Sequence, residues 1–206
     1  MKITLLFFSI LFSVAIAQAQ TKTPAMTATY YNYNIPKGLA AADYKRAIKG
    51  YSDVIKANPK NAAAYVNRAK AKLELKEYEN AITDFNLAIK YDPTNLDAVY
   101  NRGVTKIILG DFRTALADMS KVIKAKPQDA DAYFNRAFSK MNMNNPKGAV
   151  QDYNIVLKID TTYTEAYYYR GLLNVDLKKE KEACADWQRI VEFDNRAAKM
   201  LKKHCK

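Results

Sequence analysis

The chain has 206 residues, 49% of them hydrophobic and 26% charged, which suits one folded domain or a short array and excludes a largely disordered protein. A single histidine removes histidine-built metal sites and most acid–base constellations, and a net charge of +12 asks which anionic neighbours the protein meets. Two cysteines allow one intramolecular disulfide at most.

The chain opens with a positive start, Met1-Lys2. An apolar run follows from Ile3 to Ile16, interrupted only by Thr4, Ser9 and Ser13, and then the small-x-small triplet Ala17-Gln18-Ala19. This pattern predicts a secretory signal peptide over residues 1–19. Ala15-Ile16-Ala17 is an equally good cleavage site, so the mature chain is expected to begin at Gln18 or Gln20. A spanning helix needs about 20 apolar residues and a stop-transfer pattern. No transmembrane segment is therefore expected after signal removal, and with no cysteine near the junction no lipid attachment either. The expected location is the periplasm or the cell exterior, where disulfides form. There the scattered lysines read as a solubilising surface with weak contact to anionic envelope components, and not as a nucleic-acid site.

Residues 20–38 are rich in Thr, Tyr and Asn and broken by Pro24 and Pro36, which predicts a flexible N-terminal segment. From Leu39 the spacing turns helical: Ala47, Tyr51, Val54 and Ile55 share one face, and Asn58-Pro59 stops the helix. Residues 39–61 therefore hold one helix of an incomplete unit.

A register then appears that can be counted. Asn67-Arg68-Ala69, Asn101-Arg102-Gly103 and Asn135-Arg136-Ala137 recur every 34 residues, with Tyr169-Arg170-Gly171 as an altered fourth copy. Pro59, Pro93 and Pro127 keep the same period, and Thr161 takes the next place. A fixed period of this length marks a solenoid, whose units bury their apolar faces only by stacking. Four units follow, 62–95, 96–129, 130–163 and 164–197, each a helix A and a helix B. In the first, A spans Ala62 to Leu75 and B spans Tyr78 to Tyr91. Gly110-Asp111 and Asn145-Pro146 supply turn and capping chemistry between A and B. Small residues at Ala69, Gly103, Ala137 and Gly171 on A, and at Ala81, Ala115, Ala149 and Ala183 on B, permit close approach. Tyr65, Val99, Tyr133 and Tyr167 on A fill the remaining interface with Phe85, Met119, Tyr153 and Trp187 on B.

Asp84, Asp118, Asp152 and Asp186 each lie 16 residues after Arg68, Arg102, Arg136 and Arg170. Four matched pairs in register predict an interhelical Arg–carboxylate bridge in each unit. In the incomplete first unit the corresponding places hold Asn34 and Gly50, so both partners vanish together. Residues 198–206 read as a capping helix, the A of a unit that lacks its B. Cys205 falls at the small-residue place of that helix and Cys184 follows Ala183. The pair reads as a bridge or as two buried free thiols, and the spacing leaves both open.

Tyr65, Ala69, Ala81, Phe85 and Pro93, with their counterparts in the later units, resemble the pattern of the tetratricopeptide repeat (TPR) family over roughly residues 39–197. The resemblance implies an all-α, right-handed TPR superhelix whose helices A line a concave groove that holds a protein or peptide partner. It places Asn67, Asn101 and Asn135 in that groove as a ladder of amides able to pair with an extended backbone. Tyr100, Phe134 and Tyr168, with Val104, Phe138 and Leu172 one turn on, would be its apolar anchors. Some TPR domains clamp acidic tails with Lys and Arg; here Ala63, Asp97, Asp131 and Glu165 occupy the Lys place, so that clamp is incomplete.

No Gly-rich phosphate loop, nucleophile elbow or metalloprotease motif occurs, and no cofactor is expected. The expected function is a non-enzymatic binding scaffold. The alternative is a structural subunit that docks into an envelope assembly through its convex face or its ends.

Overall fold

A computed structural model describes residues 40–205; the expected signal peptide and flexible N-terminal segment lie outside them. The described residues form ten α-helices and no strand. They are α1 (Ala41–Ala57), α2 (Ala62–Glu74), α3 (Tyr78–Tyr91), α4 (Leu96–Ile108), α5 (Phe112–Ala125), α6 (Ala130–Asn142), α7 (Pro146–Ile159), α8 (Thr164–Asp176), α9 (Glu180–Ile190) and α10 (Asn195–His204).

Local chemistry repeats with the 34-residue period. Asn61, Asn95 and Asp129 cap α2, α4 and α6, each side chain accepting the backbone N–H three residues on. The A-to-B turns are also alike. Lys76, Gly110, Asn144 and Lys178 all take positive φ, between 57° and 80°. In each turn one N–H bonds three residues back and the next N–H bonds five back, as Lys76 to Leu73 and Glu77 to Lys72. This closure satisfies the last carbonyls of helix A, and it favours glycine at a place where two of the four copies carry lysine.

Each helix packs on the next, and α2 also meets α4 as α4 meets α6. Helices A thus touch one another in a closer-packed inner layer, outside which helices B lie. Ala69, Ala81, Phe85, Ala137, Tyr153 and Trp187 are wholly buried between the layers. Gly171 shows why small residues hold their place: a Cβ there would stand 2.5 Å from Trp187 Nε1.

The strongest ties are polar. Arg68 donates from Nε and Nη2 to the two oxygens of Asp84, at 2.9 and 2.7 Å. Arg102, Arg136 and Arg170 make the same bidentate contact with Asp118, Asp152 and Asp186. Each guanidinium also reaches back 16 residues with Nη1 to the preceding helix B, to Ser52, Asn86, Ser120 and Asn154 in turn. One arginine therefore joins three helices. Lys72, Lys106 and Lys140 add a second cation to the same carboxylates, at 2.7 to 2.9 Å. In the fourth unit the lysine place holds the buried Asn174, so Asp186 depends on Arg170. Burial pushes the Asp186 carboxyl above its ordinary value, against the pull of Arg170 and the more distant Arg189. At the far end Cys184 and Cys205 are joined by a disulfide, with Cα atoms 5.8 Å apart, which pins α10 to α9.

Two outcomes follow for stability. Arg170→Ala leaves Asp186 buried without its bonded cation and is expected to cost about 3 to 5 kcal/mol in urea unfolding at neutral pH. Arg136→Ala should cost less, because Lys140 remains on Asp152. A carboxyl whose folded pKa is raised carries its penalty only above its ordinary range, so the Arg170→Ala deficit should shrink as pH falls towards that ordinary carboxylate range. Equal losses for the two variants would show that the lysine contributes nothing. Reducing the Cys184–Cys205 bridge, which spans 21 residues, should remove about 3 kcal/mol through loop entropy, read from the same unfolding curves with and without reductant.

Candidate interaction groove

Four rows of side chains, each with the 34-residue period, run along the inner face of helices A. The first holds Ala63, Asp97, Asp131 and Glu165; the second Val66, Tyr100, Phe134 and Tyr168. The third holds Asn67, Asn101, Asn135 and Tyr169; the fourth Lys70, Val104, Phe138 and Leu172.

The expected open ladder of amides requires correction. Asn67 is half-buried, but Asn101 and Asn135 each retain only 1% exposure. Their amide groups are used inside the fold. Asn101 Nδ2 donates to the backbone and side-chain oxygens of Asp97, and Asn135 Nδ2 donates to the Asp131 carbonyl and to the Tyr100 hydroxyl. Three of the expected apolar anchors are also covered: Phe134 has no exposed surface, and Val104 and Phe138 are buried. The reason is the close A-to-A packing, which turns these places into the seam between units. Tyr169 seals that seam, its ring 6.0 Å from Phe134 and 5.7 Å from Phe138, while Tyr163 stacks on Phe134 at 5.1 Å. The altered fourth copy of the tripeptide thus covers the unit before it. Tyr100, Tyr168 and Leu172 stay partly accessible, as does Tyr169 itself.

Charge along the groove comes from residues whose importance counting alone did not reveal. Lys70 is buried and its Nζ lies 2.7 Å from Asp97 Oδ2 in the next unit. Tyr163 stands at the N-cap place of α8 and, in place of capping, its hydroxyl donates to Asp131 on α6 at 2.8 Å. Arg196, from the capping helix, lies over the Tyr168 ring at 4.2 Å and reaches within 4.0 Å of Glu165. Asp97, Asp131 and Glu165 thus each take a contact from outside their own helix, besides complementing its dipole. Burial raises the Asp131 carboxyl, with the Asp129 and Asp160 charges in the same direction and the Tyr163 hydrogen bond opposing. Burial also raises the Tyr168 and Tyr169 hydroxyls, although Arg196 pulls both down. For Asp194, burial works against ionisation, but hydrogen bonds from the Arg196 side chain and backbone outweigh it and hold the carboxyl below the usual range.

Two family models of the tetratricopeptide repeat match the chain, over residues 39–98 and 96–129, and the same helix pairs continue through α9. The chain is a tetratricopeptide repeat protein. No curated protein matches its sequence. Among solved structures, a crystal structure of MamA is 23% identical, covering 77% of this chain and 92% of that one with a TM-score of 0.71. MamA from residue 41 to its end, from Desulfovibrio magneticus RS-1, is 18% identical over 74% of this chain and 86% of its own, also at 0.71. YrrB, described as a TPR protein with an unusual peptide-binding site, is 20% identical over 79% and 84%, again at 0.71. These likenesses are of fold: they place α1 to α10 in the TPR superhelix and leave the groove chemistry to this chain's own residues.

Tyr169→Asn restores the residue found in the other three copies and is expected to uncover Phe134 and Phe138. The TPR array should then lose about 2 to 4 kcal/mol of stability and bind an apolar dye that the parent excludes. An unchanged unfolding midpoint would show that the ring does not seal the seam.

Proposed function

We propose that this TPR protein is an exported, non-enzymatic scaffold that holds a segment of a partner protein against the inner face of its helices A. The observation that carries this reading is the set of Tyr100, Tyr168, Tyr169 and Leu172, partly accessible on that face while the residues around them are sealed. Large amphipathic side chains on a rigid wall make effective anchors at low entropic cost. The peptide-binding site reported for YrrB supports the same kind of use. A non-enzymatic role is supported by the employment of His204, which packs 5.7 Å from Trp187, and of Asp186, which serves Arg170. Export is supported by the leader pattern and by a disulfide that suits an oxidising compartment.

A second reading, end-on docking into an envelope assembly, has an observation of its own. On α1, Val54 is 42% exposed, whereas its counterpart Ala88 on α3 is wholly buried. A photo-crosslinking residue at Tyr168, and separately at Val54, separates the two in the cells from which the protein comes. Capture of one protein from position 168 and none from 54 is the expected result; the reverse pattern would favour the end. Intact mass of protein from the periplasmic fraction or the medium should begin at Gln18 or Gln20, and an uncleaved chain in the cytoplasm would overturn export.

A further inference from the structure

The capping helix α10 is held differently from the helices A before it. Arg68, Arg102, Arg136 and Arg170 clamp α2, α4, α6 and α8 to two helices B each. In α10 the same place holds His204, whose ring packs on Trp187 at 5.7 Å and offers no fork. Of the ten residues of α10 only Ala197 is buried, and the helix carries Arg196, Lys199, Lys202 and Lys203 with no acid. A helix this short does not persist alone in water. Its docking therefore rests chiefly on the Cys184–Cys205 bridge.

What α10 holds down lies on two sides. Trp187, the only tryptophan of the chain, has no exposed surface and meets the His204 ring. On the inner face the Arg196 guanidinium lies over the Tyr168 ring at 4.2 Å and reaches within 4.0 Å of Glu165. The cap thus occupies the fourth unit's share of the wall, at one of its accessible tyrosines. Cys184 and Cys205 are both half-buried, and Lys202 and Lys203 next to Cys205 are exposed. A thiolate arriving from solvent can therefore reach the bridge, and the ammonium groups favour the thiolates through which exchange passes.

We propose that the Cys184–Cys205 bridge is a reducible latch on the groove: a protein dithiol opens it, α10 swings away, and the inner face at Tyr168 is uncovered while α1 to α9 stay folded. A thiolate of the reductant attacks one sulfur and displaces the other as a thiolate, which takes up a proton. The reductant's second thiol then breaks the mixed disulfide. Two electrons and two protons pass to this chain, which ends with two thiols, and the reductant ends as a disulfide. Release stays local because coupling in a solenoid runs between neighbours, and the four arginine clamps lie in the units before the cap.

The use of the latch rests on the groove reading, but its movement is read without a partner. Purified mature protein is treated with dithiothreitol without denaturant, and complete reduction is checked by the mass gained on thiol alkylation. Trp187 emission should move to longer wavelength and its quenching by acrylamide should rise several-fold, both reversed on reoxidation. Far-UV circular dichroism should lose no more than the share of one ten-residue helix. The Cys184→Ser/Cys205→Ser chain should match the reduced protein, and its Tyr168 should be nitrated by tetranitromethane several-fold faster than in the oxidised parent. Unchanged quenching after full reduction would overturn the latch, because α10 would have stayed docked. Loss of most of the helical signal would overturn it too, since the bridge would then staple the whole array. For the groove, a photo-crosslinking residue at Leu172 in the double-serine chain should capture several-fold more of a partner than in the parent, with capture at Tyr100 unchanged. Equal capture at 172 would sink the regulatory role, and no capture from either chain at either position would overturn the groove reading and this use of the latch with it.

Discussion

An arginine at one fixed place of helix A in each of the four full units ties three helices together, and the rest of the array depends on it. The residue has to be arginine: its fork donates twice to the aspartate on its own helix B and keeps Nη1 for the helix B behind it. A lysine could hold the aspartate as a point charge but could not bridge backwards at the same time. Because each clamp spans one unit and the edge of its neighbour, stability accrues by nearest-neighbour steps, as a solenoid requires. The ends then need other means. At the first, the Ser52 hydroxyl takes the Nη1 bond of Arg68 and Ile55 packs against the core of the first unit. At the last, His204 takes the arginine place and packs on Trp187, and the Cys184–Cys205 bridge fixes the neighbouring position covalently.

Closing the seam between helices A has a cost for binding. Asn135, Phe134 and Phe138 are used for cohesion between units and Asn101 is buried with its amide bonded to its own helix, which leaves less of the inner wall to meet a partner. What remains is a narrower set of tyrosines and carboxylates.

The 34-residue count made the helix limits, the arginine–aspartate pairs and the facing cysteines legible before any coordinates. The same count also contains the caps Asn61, Asn95 and Asp129, the lysines at 72, 106 and 140, and the Ser or Asn that each Nη1 reaches. Lysine on a helix reads by default as a solvated side chain, so the second cation of each cluster passed unnoticed. The burial of the amide row was not legible for a different reason. Periodicity says which residues share a place, not how far each helix is rolled about its axis. A modest roll, with helices A in contact, carries Asn101 from an open wall into a seam. Whether Tyr169 would cover Phe134 and Phe138 depends on that same roll.

The departures from the repeat gather in the fourth unit and the cap. Tyr163 replaces a capping Asn or Asp, which forgoes about 1 kcal/mol of helix stabilisation. Tyr169 replaces the amide, Asn174 replaces the lysine of the cluster, and Arg196 enters the groove from the capping helix. Each change weakens a local rule that the earlier units obey, and three of them put an aromatic or cationic group on or beside the inner face. The disulfide and the bidentate Arg196–Asp194 contact then hold the weakened end in place. Local rules thus fail together at one end of the array, and a covalent bond and an ion pair offset the loss at that same end.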